Sequence, residues 1–178
     1  AFAPLIIASK GRITTTGSIS GILSGTFFGP YSMSKHAVEA FTDSLAREMR
    51  KFDVEVSVIE PGNYRSAIVD TIFRRMEERG QSVEGSLYQE ELEGMLTNFQ
   101  GEGYDRSYQK EPDEVSAALL QFLADDNPKR RYMVVPNERS AEVTIRQVLT
   151  ELVQLNERHA YSYSRDELVE MLDAALAD

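Results

Sequence analysis

Short runs rich in β-branched residues alternate along the chain with longer stretches in which apolar residues recur every three or four positions. The β-branched runs are typical of strands, and they lie at residues 12–16, 54–59 and 131–135. In the first run Ile13 is followed by three threonines, which favours a short, buried central strand. The stretches between the runs have room for helices. The pattern therefore predicts an α/β domain.

The clearest helix is predicted from residue 30 to residue 51. Its apolar positions recur at helical spacing and predict one buried face, formed by Ala37, Val38, Phe41, Leu45 and Met49. The charged positions are expected on the opposite, solvent-facing side, at Glu39, Asp43, Arg47, Glu48 and Arg50.

Other helices are indicated by their ends. Residues 2–9 read as the end of a helix that stops at Gly11. A helix opens at residues 111–114, with Pro112 and acidic residues in its first turn. Another is predicted at residues 140–156. Ser164 and Glu167 form a capping box that predicts a last helix through Leu176.

Residues 67–111 form a long, acidic, partly helical insert. Its apolar residues fall into two stripes, one at Ile68, Val69, Ile72, Phe73 and Met76, and one at Leu87, Leu92, Met95, Leu96 and Phe99. These stripes either contact an apolar substrate or pack on the domain. The charges among them are most simply a solvated face.

Composition excludes several classes of protein. A chain of 178 residues can form one domain with its own core. No apolar run approaches the ~20 residues that cross a bilayer, and residues 1–12 do not read as a signal peptide. The absence of cysteine excludes disulfides and is compatible with a cytoplasmic location. A net charge of −10 argues against a nucleic-acid partner, and two distant histidines give little support to a metal site.

Three side chains near the first strand form a candidate catalytic group. Ser18 follows the strand, while Tyr31 and Lys35 lie four residues apart and so share one helix face. Open α/β sheets bind ligands at the carboxyl ends of their strands. A free phenol has a pKa near ~10, and a neighbouring ammonium favours the phenolate. Such a group can move the proton of a substrate C–O group, whereas a hydride transfer would require a cofactor.

A plainer interpretation exists for each of these residues. A Tyr-x-x-x-Lys pair is a weak motif by itself, and Tyr31 could be an ordinary aromatic at a helix start with Lys35 as its solvated neighbour. His36 is more simply a neighbour on the adjacent helix face than a proton relay. Ser66 could merely cap a helix after a strand-to-helix turn.

The chain resembles the short-chain dehydrogenase/reductase family in three segments that stand in the right order. They are Ser18, residues 31–35 (YSMSK) and residues 61–66 (PGNYRS). The fragments TGSISG, YSMSKHAVEAFTDSLAREM and IEPGNYRS are most similar to the branch that acts on retinoids, steroids and other apolar alcohols or ketones. The resemblance covers roughly residues 1–150.

The resemblance implies a Rossmann-like doubly wound parallel sheet and NAD or NADP as cofactor. It implies Ser18, Tyr31 and Lys35 as catalytic residues. The cofactor-binding residues that it implies are Thr16, Tyr31, Lys35, Pro61, Gly62, Tyr64 and Ser66. The partner is then a small alcohol or carbonyl compound, converted by an NAD(P)-dependent oxidoreductase.

The resemblance also divides the chain. Residues 1–150 are expected to form the C-terminal part of a cofactor-binding domain, with residues 67–111 as a substrate lid. Residues 151–178 are expected to be a helical extension. The family implies a homodimer or homotetramer.

The family's Gly-rich cofactor motif is not found before Gly11, so the N-terminal half of the fold is expected to be missing from this chain. An alternative is therefore a catalytically incompetent fragment or scaffold of the same fold. A third option is an epimerase or dehydratase, which would use the same Tyr-Lys pair with tightly held NAD.

Overall fold

A computed structural model describes residues 1–100 and 109–177 of the chain. Its helices are α1 (Ala3–Ala8), α2 (Gly29–Met49), α3 (Ile68–Glu78), α4 (Gln89–Gln100), α5 (Asp113–Ala124), α6 (Glu138–Asn156) and α7 (Arg165–Ala177). Its strands are β1 (Arg12–Thr16), β2 (Glu55–Pro61) and β3 (Arg131–Val134). The α/β architecture predicted from the sequence is confirmed.

The described strands form one parallel sheet in the order β1-β2-β3. Ile13 pairs with Val56, and Ile59 pairs with Tyr132. Within the described sheet β2 is the central strand and β1 lies at an edge, so the expected central position of β1 is not met there. Because the described strands run in one direction, their carboxyl ends lie at the same end of the sheet. The candidate site lies at this end.

The two faces of β2 hold separate apolar clusters. On one face Ile59 packs with Ala118, Phe122 and Tyr132, so α5 covers this side of the sheet. On the other face Val54 and Val56 pack with Ala46 of α2. Alternate residues of a strand point to opposite faces, which explains why Ile59 and the pair Val54 and Val56 belong to different clusters. The two clusters hold α2 and α5 on opposite sides of the strand ends.

The predicted buried face of α2 was only partly right, because Leu45 and Met49 pack against the Ala46 cluster but the most buried positions lie on a different stripe. The residues of α2 that are buried are Ser32, Glu39, Thr42 and Ala46, whereas Phe41 is 57% exposed. The buried positions also recur every three or four residues, on a neighbouring stripe of the helix. Their polar groups can face the sheet because the helix binds some of them itself: the Thr42 hydroxyl donates to the Val38 carbonyl oxygen at 2.8 Å.

The ends of the helices were predicted better than their buried faces. In the capping box the Glu167 carboxylate accepts from the Ser164 N–H at 2.7 Å, and the Ser164 hydroxyl accepts from the Glu167 N–H at 3.3 Å. The predicted stop of α1 is found, but the left-handed residue is Lys10, with a φ of 46°, rather than Gly11. Asn137 caps α6 by accepting from the Ser140 N–H at 2.9 Å.

The C-terminal helices are largely solvent-exposed. The large apolar residues of α6 are between 42% and 77% exposed, and α7 has no buried residue. Among the described residues no helix combines the length and the apolar character that a membrane span requires. The division of the chain at residue 150 stays a prediction.

Candidate active site

The predicted site residues meet where β1 and β2 end. Thr16 is the last residue of β1, and Pro61 is the last residue of β2. The Gly17 N–H donates to the Ile59 carbonyl oxygen at 2.8 Å, which extends the pairing of the two strands by one step. The loop after β1 is thereby fixed beside the Pro61–Gly62 turn.

Ser18 lies in this loop and is buried. Its hydroxyl accepts from the Ser20 N–H at 3.1 Å and donates to the Pro61 carbonyl oxygen at 3.3 Å. The first of these bonds caps a short 3₁₀ turn over residues 19–21. The second is at the long end of the range for a hydroxyl donor. A short rotation of the hydroxyl therefore redirects its proton at little cost.

Lys35 connects α2 to the same loop. Its Nζ donates to the Gly17 carbonyl oxygen at 3.0 Å and lies 5.7 Å from the centre of the Tyr31 ring. The side chains are neighbours because their residues are one helical turn apart. The structure thus brings a phenol and an ammonium together beside the loop that carries Ser18.

All of the predicted site residues line one cleft of about 620 Å³. The residues in question are Thr16, Ser18, Tyr31, Lys35, Pro61, Gly62, Tyr64 and Ser66. The remaining wall is largely apolar and includes Ile19, Leu23, Phe28, Ile68, Ile72 and Val115. His36 is not part of this lining, and its Nδ1 lies 2.9 Å from the Ser32 carbonyl oxygen.

Tyr64 faces the cleft but is tied to α5. Its hydroxyl donates to the Glu114 carboxylate, and its N–H donates to the Gly62 carbonyl oxygen at 3.0 Å. Burial, followed by the bond to Glu114, raises the pKa of Tyr64 well above its ordinary value. The Tyr64 and Lys110 donors lower the pKa of Glu114. The phenol of Tyr64 therefore stays protonated and acts as a structural donor.

The segment after Tyr64 leads into the predicted lid. The Ser66 hydroxyl accepts from the Ile68 N–H at 3.5 Å, at the start of α3. Ile68 and Ile72 of the first predicted apolar stripe line the cleft. The side chains of Val69, Phe73 and Phe99, named in the predicted stripes, lie outside the described residues, as do residues 101–108 of the insert.

Sequence reasoning missed a group of charged residues behind the loop. Glu39 and Glu60 are buried, and the Arg131 Nε lies 3.4 Å from the Glu39 carboxylate and 3.6 Å from the Glu60 carboxylate. Burial, followed by the charge of Glu39, raises the pKa of Glu60 to about 7. Glu60 was visible in the sequence as a charged residue that directly follows the apolar pair Val58-Ile59 near the end of β2. Glu39 was visible as the residue one turn after Lys35.

Comparison with known proteins places this geometry in a family. The family model described as short chain dehydrogenase matches residues 1–77. The chain is 40% identical over 125 residues to the 3beta-hydroxysteroid dehydrogenase dhs-16 of Caenorhabditis elegans, which covers 70% of this chain and 31% of that protein. It is 31% identical over 134 residues to retinol dehydrogenase 16 of Rattus norvegicus, covering 72% of this chain and 42% of that protein.

Solved structures show the same fold at lower identity. A short-chain dehydrogenase from Streptomyces avermitilis matches with a TM-score of 0.62 and 21% identity, over 86% of this chain and 52% of that chain. A short chain dehydrogenase/reductase from Burkholderia phymatum, in complex with NAD, matches with a TM-score of 0.60 and 22% identity, over 92% of this chain and 56% of that chain.

The match is partial in length, since the chain spans between 31% and 42% of the first four curated relatives. Three of these are named as dehydrogenases of a 3beta-hydroxysteroid, of D-beta-hydroxybutyrate and of retinol. The part that the family model matches contains the ends of β1 and β2, the Tyr31–Lys35 pair of α2 and the Pro61–Gly62 turn. The chain belongs to the short-chain dehydrogenase/reductase family, in the branch that includes the retinol and hydroxysteroid dehydrogenases.

Proposed function

We propose that this protein is an oxidoreductase that interconverts an apolar alcohol and its ketone or aldehyde, with NAD or NADP as hydride carrier. One observation supports this above the others: the Lys35 ammonium bridges the Gly17 carbonyl and the Tyr31 ring inside the cleft that Ser18 also lines. A fixed cation beside a phenol is suited to proton transfer at a substrate oxygen.

In this proposal Tyr31 takes the proton from the alcohol, or returns it to the carbonyl compound. The Lys35 ammonium stabilises the Tyr31 phenolate, which is present before the alcohol proton is accepted and is formed again when a proton is donated to the carbonyl compound. The Gly17 carbonyl keeps the ammonium in place, since the Lys35–Gly17 bond joins α2 to the loop after β1. Tyr31 is half-buried, so the charge is only partly screened by water.

Ser18 orients the substrate oxygen. Its hydroxyl proton points to the Pro61 carbonyl oxygen at 3.3 Å and turns to the substrate oxygen when a substrate enters. The Ser20 N–H continues to hold the Ser18 oxygen during this rotation. The substrate C–O group is then held between Ser18 and Tyr31.

The strand ends suit the nicotinamide end of a dinucleotide. Pro61 has no N–H to be left unpaired. A Cβ at Gly62 would come within 3.0 Å of Pro136 and 3.1 Å of Val135, so only glycine lets the ends of β2 and β3 close up under the cleft. Lys35 has three N–H donors, and the Gly17 bond uses one, which leaves donors for ribose hydroxyls. When bound, the nicotinamide accepts or donates the hydride.

The proposed substrate is apolar because the cleft wall is. Ile19, Leu23 and Phe28 line it on one side, and Ile68 and Ile72 of α3 line it on another. The relatives named as retinol and 3beta-hydroxysteroid dehydrogenases point to the same class of substrate. Residues of α3 are proposed to set specificity, as part of the lid over residues 67–111.

The decisive test is Tyr31→Phe in the protein expressed from its complete coding sequence, called the complete protein below. With a panel of retinoid and hydroxysteroid alcohols, loss of the phenol is expected to lower turnover by roughly 10²–10⁴-fold. Formation of NADH or NADPH measures the rate, and circular dichroism checks the fold. Tyr161→Phe is the matched control, since Tyr161 is 81% exposed. Near-normal turnover by Tyr31→Phe would reject the proposed role.

Binding separates an enzyme from an inactive scaffold of the same fold. Saturable binding of NADH or NADPH to the complete protein, measured by fluorescence titration, supports the oxidoreductase. Absence of binding to both favours the scaffold.

A cytoplasmic location and a homodimer or homotetramer are further proposals from the sequence and the family. Analytical ultracentrifugation tests the oligomeric state.

A further inference from the structure

Two glutamates are buried directly behind the loop that carries Ser18. Glu39 comes from α2 and is 9% exposed, and Glu60 comes from β2 and is 1% exposed. Neither belongs to the proposed proton-transfer group of Ser18, Tyr31 and Lys35. Carboxyl groups are rarely buried in this way unless they are paired or hydrogen-bonded, so their position calls for a physical cause.

Glu39 packs against the two glycines that begin and end the loop. A Cβ at Gly17 would lie 2.9 Å from the Glu39 Oε1, and a Cβ at Gly21 would lie 2.8 Å from its Cγ. Gly17 supplies the carbonyl that holds Lys35, and the Gly21 N–H donates to the Ser18 carbonyl oxygen at 2.8 Å. The Glu39 side chain therefore packs directly beneath this loop and supports it at both ends.

The charges around the two glutamates do not balance. Glu39, Glu60 and Asp43 surround one cation, Arg131. The short contact of Arg131 goes to Asp43, at 2.7 Å, and its Nε is shared by Glu39 and Glu60 at 3.4 and 3.6 Å. The ammonium of Lys35, which lies on α2 one turn before Glu39, is held by the Gly17 carbonyl.

Several buried carboxyl oxygens consequently lack a donor. Both oxygens of Glu39 and the Oε1 of Glu60 have no hydrogen-bond partner when the two groups are treated as carboxylates, which can only accept. A proton on either group supplies the missing donor and removes one buried charge. The upward shift of the Glu60 pKa to about 7, caused by burial, by the Glu39 charge and by a hydrogen bond to Glu39, agrees with this geometry.

We propose that Glu39 and Glu60 share one proton, and that this pair positions the Gly17–Gly21 loop, and through it Ser18 and Lys35, for proton transfer. The positioning role rests on the function proposed above. Loss of the shared proton places a second negative charge behind Gly17. The two carboxylates then repel each other, and Glu39 moves against the loop. The pair is a positioning element, since neither glutamate contacts the cleft.

Infrared spectroscopy tests the shared proton without any activity measurement. In the complete protein, about one pH unit below the pKa of the pair, the C=O absorption of a protonated carboxyl group is expected. It is lost in Glu39→Gln and in Glu60→Gln. Matched controls are Glu48→Gln on α2 and Glu55→Gln on β2, both exposed, which retain the absorption. Absence of the absorption in the wild-type protein, or its persistence in both buried variants, would overturn the proposal.

Amide hydrogen exchange tests the positioning role. Glu39→Ala is expected to speed exchange at the Ser20 and Gly21 amides by roughly tenfold, because the loop loses this support. Glu39→Gln restores the wild-type rates, because its amide donates to Glu60 in place of the proton. In the wild-type protein local opening increases as pH rises through the pKa of the pair, whereas in Glu39→Gln it does not. Equal loop exchange in Glu39→Ala and in the wild type would refute positioning.

Kinetics then connect the pair to the proposed reaction. Glu39→Ala is expected to lower kcat by roughly 10- to 100-fold with little change in KM, because Ser18 and Lys35 are misplaced rather than removed. Glu39→Gln keeps kcat near the wild-type value and removes the change in kcat that accompanies titration of the pair. If the wild-type complete protein has no dehydrogenase activity, the proposed function fails by itself, while infrared and exchange data still decide on the pair.

Discussion

Lys35 shows how a single side chain gives the site its shape. Its stem crosses from α2 to the loop after β1, where the Gly17 carbonyl oxygen accepts its proton at 3.0 Å. That oxygen is held in place because the Gly17 N–H donates to the Ile59 carbonyl oxygen of β2. The ammonium is therefore fixed by strand pairing rather than by another side chain. An arginine at position 35 would not reproduce the contact, because its planar group spreads the charge over several donors.

Gly17 is the residue at which this arrangement can be disturbed most directly. A Cβ there would lie 2.9 Å from both the Glu39 Oε1 and the Val58 Cγ2, and Val58 is fully buried. Gly17→Ala is expected to destabilise the complete protein by about 1–3 kcal/mol through overpacking. Urea unfolding measures the difference in free energy of unfolding.

Gly25→Ala provides the matched control in the same loop. A Cβ at Gly25 meets only Phe28, at 3.7 Å, which is an ordinary contact. This variant is expected to be neutral or slightly stabilising, since alanine restricts the unfolded chain. Equal stability of the two variants would show that the Glu39 side chain yields to Gly17→Ala without cost.

At the scale of elements, the sequence predicted where helices and strands lie better than which faces they bury. β1 was predicted at its observed bounds, because four consecutive β-branched residues in a short window leave little ambiguity. The most buried stripe of α2 was missed because an apolar stripe and a largely polar stripe of that helix have the same three- and four-residue spacing. The apolar stripe includes Phe41, which is exposed, and the buried stripe includes Glu39 and Thr42.

The buried stripe of α2 could not be inferred from hydrophobicity. The cation that contacts Glu39 is Arg131, which comes more than ninety residues later in the sequence. Thr42 is buried because its hydroxyl finds a carbonyl within its own helix. The site residues, by contrast, carry local motifs, and all eight of them line one cleft. The proximity of these residues was thus readable in the sequence, whereas the long-range charge pairing was not, and the catalytic roles of the site residues stay a prediction.

The capping box of α7 gives a test at one helix end. Ser164→Ala removes the acceptor of the Glu167 N–H and the donor to the Glu167 carboxylate. It is expected to destabilise the helix by about 1 kcal/mol. Because α7 has no buried residue, the loss should stay local. Hydrogen exchange of the α7 amides measures it, with Ser162→Ala as control. An effect on global unfolding equal to the local one would show that α7 packs more firmly than its exposure indicates.

The turn after β2 is held to α5 by Tyr64. Tyr64→Phe removes the donor to Glu114 and is expected to lower the thermal midpoint of the complete protein at neutral pH. The sign of the pH effect follows from Glu114, whose pKa is lowered in the folded state, first by Tyr64 and then by Lys110. A lowered carboxyl pKa stabilises the fold above the unfolded value and ceases to do so as pH falls through the folded value.

The wild type and Tyr64→Phe should therefore converge in stability as the pH falls below 4.5, the ordinary pKa of Glu114. Thermal unfolding followed by circular dichroism over a series of acidic buffers measures this. Tyr163→Phe serves as control, since Tyr163 contacts the structure through its backbone N–H and carbonyl oxygen. A difference that stays constant down to low pH would mean that the hydroxyl acts by packing and not through the Glu114 charge.

At the scale of the whole molecule, one sheet edge carries both the proposed chemistry and the buried charges. The parallel strands bring Ser18, the Pro61–Gly62 turn and Pro136 together at their carboxyl ends. The same strands bring Glu60 and Arg131 under the loop. The same pairing of β1, β2 and β3 that forms the cleft therefore also brings the buried charges together. Any loss of proton beneath the cleft is expected to affect stability as well as positioning.

The pH dependence of global stability follows from Glu60. Its pKa rises from 4.5 to about 7 on folding, because of burial and the neighbouring Glu39 and Asp43 charges, against the opposing effect of Arg131. Between these two values the folded protein binds more protons than the unfolded chain, so stability falls as pH rises from 4.5 to about 7 and levels off above it. At about 1.4 kcal/mol for each pKa unit, the loss is on the order of 3–4 kcal/mol.

Glu60→Gln isolates this contribution, because the amide stays neutral at every pH and donates to Glu39. Carboxylates with lowered pKa values, such as Asp53 and Glu167, make the free energy of unfolding rise with pH at acidic values. They are present in the wild type and in the variant, so their contributions cancel in the difference between the two. Urea unfolding across this pH range should give a falling curve for the wild type and for Glu55→Gln, and a flatter one for Glu60→Gln. Parallel curves for all three would show that Glu60 is ionised in the folded protein at acidic pH, with Arg131 alone compensating its charge.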